Sequence, residues 1–80
     1  MTRPWIVRMF CRGEPFGLAL SFATPETALS AGVAALRATA VDTVTVAHSE
    51  HPDVSVTFTT TTLDREGLAE RLRRDLDAHR

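Results

Sequence analysis

The chain has 80 residues, a formal net charge of −1, 44% hydrophobic and 24% charged residues, and one cysteine. That length holds one ordinary domain, 1–80, and the apolar content excludes a disordered chain. No apolar run is long enough to span a bilayer, one cysteine excludes a disulfide framework, and the near-neutral balance removes the simplest electrostatic case for a polyanion binder. The chain lacks Lys, Asn, Gln and Tyr, so every basic side chain other than histidine is Arg. That bias predicts a GC-rich bacterial or phage genome. The opening residues lead straight into strand-like sequence with no secretory pattern, which makes a reducing cytoplasm the expected location.

Trp5 to Cys11 reads as a strand from its β-branched and aromatic content. Arg12-Gly13-Glu14-Pro15 is turn chemistry. Phe16 to Phe22 alternates, with Phe16, Leu18, Leu20 and Phe22 on one face and Gly17, Ala19 and Ser21 on the other, which predicts a second strand paired to the first. Thr24-Pro25-Glu26 then starts a helix: a capping hydroxyl, a proline suited to the first helical position, and an acid at the positive helix end. The helix is expected to run to about Ala38, with Leu29, Val33, Leu36 and Ala40 inward. The small residues Ala28, Ala31, Gly32 and Ala35 allow it to lie close to a sheet.

Val41 to His48 alternates again, a polar turn follows over residues 49–53, and Val54, Val56 and Phe58 alternate with Ser55, Thr57 and Thr59. Thr60 to Asp64 offers several caps for a last helix. That helix carries Leu68, Leu72 and Leu76 as a narrow stripe between charged faces, with Glu70 and Arg74 suitably spaced to pair. The order β-β-α-β-β-α predicts an α+β fold: a four-stranded, mainly antiparallel sheet with two helices packed on one face. Leu18, Leu20, Phe22, Val54, Val56 and Phe58 are expected to face the helices.

The two halves, 4–40 and 41–80, also read as a possible ββα duplication. A shift of 36 residues lays Arg12–Thr24 on His48–Thr60 without a gap and matches Glu14 with Glu50, Phe22 with Phe58 and Thr24 with Thr60. Shared patterning accounts for much of this likeness. The first strand divides two arguments. Burying Trp5, Val7, Met9 and Cys11 keeps Arg8 and Arg12 in solvent and avoids burying unpaired charge. The gap-free alignment favours Ile6, Arg8 and Phe10 instead. The odd-numbered set is expected to be buried, and a turn of different length in the two halves would reconcile that with the alignment.

The sheet face away from the helices then shows Ile6, Arg8, Phe10 and Arg12 beside Thr43, Thr45 and Thr57. An exposed Ile and Phe on so small a domain predict self-association or a protein partner. The function expected is a small non-enzymatic interaction or regulatory module, homodimeric, without a cofactor and without a membrane role. The alternative is a nucleic-acid-binding module in which Phe10 stacks on bases while Arg8 and Arg12 meet phosphates. Against it stand one aromatic on that face and no basic excess. A third reading places a metal or an enzyme at the turn holding His48, Glu50 and His51, but a metal site is not expected: one turn supplies no second ligand pair, and His79 is remote in sequence. Cys11 gains nucleophilic character only if His48 lies beside it. No phosphate-loop or hydrolase motif occurs.

Overall fold

The computed structural model describes residues 2–38, 41–61 and 64–79. Five strands and two helices follow one another: β1 (Trp5–Cys11), β2 (Glu14–Pro15), β3 (Leu20–Phe22), α1 (Pro25–Arg37), β4 (Thr43–His48), β5 (Ser55–Phe58) and α2 (Arg65–Asp77). All paired strands are antiparallel. One long edge of β1 meets β4, and β4 meets β5. The other edge of β1 takes both β2 and β3. The fold is α+β, and the fifth strand is Glu14–Pro15, residues expected as turn, while of the expected second strand, 16–22, only Leu20–Phe22 pairs with β1.

The break has a local cause. Arg12 and Gly13 both have positive φ, 54° and 82°, and join the paired residues Cys11 and Glu14 as a two-residue hairpin loop. Consecutive positive φ values are the mark of the type I′ turn, whose twist matches that of the strands it joins. The Phe16 N–H still bonds the Met9 carbonyl at 2.8 Å. Gly17 then turns to φ 71°, and pairing resumes only where Leu20 meets Val7. Gly17, Leu18 and Ala19 thus stand where β1 has only Arg8. The extra residues form a bulge on the outer strand.

The helices share one face of the sheet. Thr24 caps α1, its Oγ1 accepting from the Thr27 N–H at 3.3 Å, and Pro25 occupies the start of the helix. Ala28, Leu29, Val33 and Leu36 are buried over β1 and β4. Gly32 sets the approach: a β-carbon there would lie 2.7 Å from Val44 Cγ1. Asp64 is the cap of α2, accepting from the Gly67 N–H at 3.2 Å. Leu72 and Ala69 are the buried residues of α2, with Leu68 and Leu76 partly covered. Its ion pairs include Arg71–Asp75 at 3.8 Å and a contact from Arg73 to Glu26 of α1, rather than the expected Glu70–Arg74. Ala40, expected on the inward face of α1, lies outside the described residues.

Trp5 and Val7 are buried and Met9 packs against the core, so the odd-numbered face of β1 meets the helices. The gap-free alignment of the halves therefore fails on this strand. Phe22 pairs with Trp5, whereas Phe58 pairs with Val44. The first pair is seventeen positions apart and the second fourteen, so the first hairpin is longer. The bulge at residues 17–19 takes up part of that length.

Leu18 and Leu20 do not join the core. Leu18 is 86% exposed and Leu20 43%. Leu20 faces the helix side, paired with the buried Val7, but it sits on the outermost strand, where the helices cover it only in part. Leu18 lies within the bulge, where the alternation that predicted its direction no longer holds.

Candidate interaction face

The open face is assembled by strand register. Ile6 pairs with Ala47 and Ser21, Arg8 with Thr45, and Phe10 with Thr43, while Thr45 pairs in turn with Thr57. These rows bring Ile6, Arg8, Phe10, Thr43, Thr45 and Thr57 onto one side, as period-two alternation requires. Ile6 and Phe10 are half-buried by their neighbours, and Arg8 and Thr57 are exposed. The Thr45 and Thr57 hydroxyls lie 3.1 Å apart and hydrogen-bond across the strands, which satisfies each with the other.

Arg12 lies beyond this face. It occupies the turn past the end of β1, and its backbone N–H donates to Asp42 Oδ2 at 2.8 Å. The Thr43 hydroxyl donates to the other Asp42 oxygen at 3.0 Å. These two bonds, that from Arg12 first, hold the Asp42 carboxyl below the usual aspartate range. Asp42 thereby ties the tip of the first hairpin to the start of β4, a bond that is kept above acid pH and lost as pH falls through the lowered value.

The face continues around the sheet edge. Arg8, Met9, Phe10, Pro15, Gly17 and Leu18 surround a depression of about 200 Å3. Phe16, 47% exposed, and Leu20, at the start of β3, flank the bulge on its two sides. Residues 15–23 carry no charged side chain. Of these, Leu18 and Leu20 were expected to face the helices. Periodicity gives the side of a strand but not how far a helix extends over it.

The histidine turn is built differently from expectation. His48 ends β4 on the helix side and is 7% exposed. Its Nδ1 accepts the Glu50 N–H at 3.1 Å. Burial and the adjacent His51 lower its pKa, and Glu50 opposes them. His79, remote in sequence, stacks on His51 with ring centres 4.7 Å apart. Among the described residues, no group of three His, Cys, Asp or Glu side chains is arranged to hold a metal ion. Cys11 lies at the opposite end of β1 from Trp5, the residue paired with His48. Six residues of strand amount to about 20 Å, so the fold does not join Cys11 and His48 in a nucleophile–base pair.

Among the described residues, no helix is long and apolar enough to cross a membrane. Comparison with protein-family models, curated proteins and solved structures found no match to this chain.

Proposed function

We propose that this chain is a non-enzymatic interaction module that associates with a second copy of itself through the bulged edge and the adjoining open face. One observation carries the reading: Phe16, Leu18 and Leu20 are all exposed along one outer segment, from just after β2 through the bulge to the start of β3. Hydrophobic side chains gathered on the surface of so small a domain favour a contact that removes them from water. The strand segments also present backbone groups on the edge facing away from β1, and antiparallel pairing with another edge satisfies them. A second copy fits because residues 15–23 are uncharged. An isologous contact sets a segment against itself, so a charged one would meet like charge across the two-fold axis.

Nucleic-acid binding is the weaker reading. Its second cation, Arg12, stands in the turn instead of on the strand, which leaves Arg8 beside a single aromatic. The net charge of −1 supplies no general attraction to phosphate.

Light scattering on the purified chain is expected to report about twice 8.8 kDa. Leu18→Asp, at an exposed position, and Phe10→Asp, on the open face, should each lower that mass towards one chain while leaving the circular dichroism spectrum unchanged. A monomer persisting at high concentration overturns the proposal. Retarded migration of single-stranded oligonucleotides at low salt, lost in Arg8→Ala, would replace it with the nucleic-acid reading.

A further inference from the structure

The backbone hydrogen bonds along β1 divide by residue number. The Phe10 carbonyl accepts from the Asp42 N–H at 3.0 Å, and the Pro4 carbonyl from the Ser49 N–H at 2.7 Å, both on the β4 side. The Met9 carbonyl accepts from the Phe16 N–H at 2.8 Å, on the other side. Backbone groups alternate in direction along a strand, so the odd-numbered residues of β1 point their N–H and C=O towards β2 and β3. Val7 pairs with Leu20 and Trp5 with Phe22, which makes these the hydrogen-bonded pairs of β3. Ser21, opposite Ile6, then directs its N–H and C=O outward, away from the sheet. It is exposed, and among the described residues no strand lies on that side.

The opposite edge of the sheet, β5, also has outward backbone groups but nothing apolar left to cover. The His48 N–H donates to the Val54 carbonyl at 3.0 Å, so Val54, Val56 and Phe58 bond towards β4, and Ser55 and Thr57 face outward. Val54, Val56 and Phe58 are already buried in the core. A strand added there takes no apolar side chain out of water. At β3, Leu20 is 43% exposed and Phe22 is half-buried, both on the helix side.

We propose that two copies of this chain join through β3 with the two-fold axis beside Ser21, so that each Ser21 N–H donates to the carbonyl of Ser21 in the second copy. The pairing rests on the self-association proposed above and fixes where that contact is centred. A residue with one donor and one acceptor on the same side is complementary to its own image across a two-fold axis. The axis stands perpendicular to the sheet, so the two five-stranded sheets become one and the helices of both copies lie on the same face. Register then sets Leu20 of each copy against Phe22 of the other, as two identical pairs on the helix side. Residues 15–23 carry no charge, so no like charges meet. The contact uses the same edge of both copies and therefore closes at the dimer. A β3 edge laid on the β5 edge of the next copy would leave an open edge at each end and continue as a filament.

Amide hydrogen exchange on the full chain tests the axis, run below and above the midpoint of association found by light scattering. The Ser21 amide should exchange about tenfold more slowly in the dimer, while the Thr57 amide, outward on β5, should not change. Ser21→Pro removes the donor at an edge position that tolerates proline, and should give the mass of one chain with an unchanged far-ultraviolet circular dichroism spectrum. Ser21→Thr keeps the N–H and should remain a dimer. Where Ser21→Pro does not fold, the exchange measurement decides alone. A dimer whose Ser21 amide stays unprotected, or whose Thr57 amide slows instead, overturns this axis and leaves self-association standing. Growth beyond the dimer into filaments overturns it as well. A monomer at every concentration overturns self-association and the axis together.

Discussion

Gly32→Ala adds one methyl group and sets two effects of known sign against each other. The new β-carbon would lie 2.7 Å from Val44 Cγ1 and 3.0 Å from Phe58 Cζ. Comfortable carbon–carbon contact is about 3.5–4.0 Å. Neither neighbour yields readily: Val44 is 0% exposed and Phe58 1%, and a β-branched valine is stiff about its first side-chain torsion. Helix and sheet must separate locally, and overpacking of this kind costs about 1–3 kcal/mol. Alanine returns about 1 kcal/mol because it is a better helix former than glycine. The net expectation is destabilisation of about 1 kcal/mol, or roughly 4–8 °C in Tm for a domain of this size. Thermal unfolding followed by circular dichroism at 222 nm reads it. Ser30→Ala, exposed on the same helix, carries the propensity gain without the contact and should raise Tm slightly. If Gly32→Ala is as stable as the parent or more so, while Ser30→Ala behaves as stated, the close approach of α1 to β4 and β5 is not what glycine supplies there.

The helix caps give a second expectation. Thr24→Ala and Asp64→Ala each remove a side-chain acceptor for a first-turn N–H, at 3.3 and 3.2 Å, and should each cost about 1 kcal/mol in urea unfolding. Arg12 holds φ 54°, a left-handed conformation that asparagine tolerates better than arginine. Arg12→Asn retains the backbone donor to Asp42 and should raise the urea midpoint by an amount equivalent to about 0.5–1 kcal/mol. A lowered midpoint would mean that the arginine side chain itself stabilises the hairpin.

Much of the scaffold is legible residue by residue. Thr24-Pro25-Glu26 announces α1 because capping is local chemistry, and Leu29, Val33 and Leu36 reveal its inner stripe because helical spacing puts them there. The buried face of β1 follows from Arg8, since an unpaired guanidinium is too costly to place under a helix. The same alternation places Ile6, Phe10, Thr43, Thr45 and Thr57 on the opposite side. Leu18 and Leu20 were not legible because their exposure depends on where α1 ends its cover and on the break at Gly17, neither of which is encoded by alternation. The stack of His51 on His79 depends on how the end of α2 meets a turn 28 residues earlier. Charge and spacing within either segment carry no trace of that meeting.

The position of β1 bears on how the sheet can be assembled. β3 and β4 are both antiparallel to β1 and flank it, so the earliest strand in sequence lies inside the sheet. Its first hairpin forms from nearby residues, yet Trp5 meets His48, 43 positions later. Closing that separation costs chain entropy before its contacts return any stability, and such non-local pairing slows folding. Until β4 arrives, the hairpin offers two open edges instead of one, with Phe16, Leu18 and Leu20 along the outer segment. The segment proposed to join two finished copies is thus also the one most able to join two unfinished chains, and the speed of α1 and β4 docking sets how long that hazard lasts.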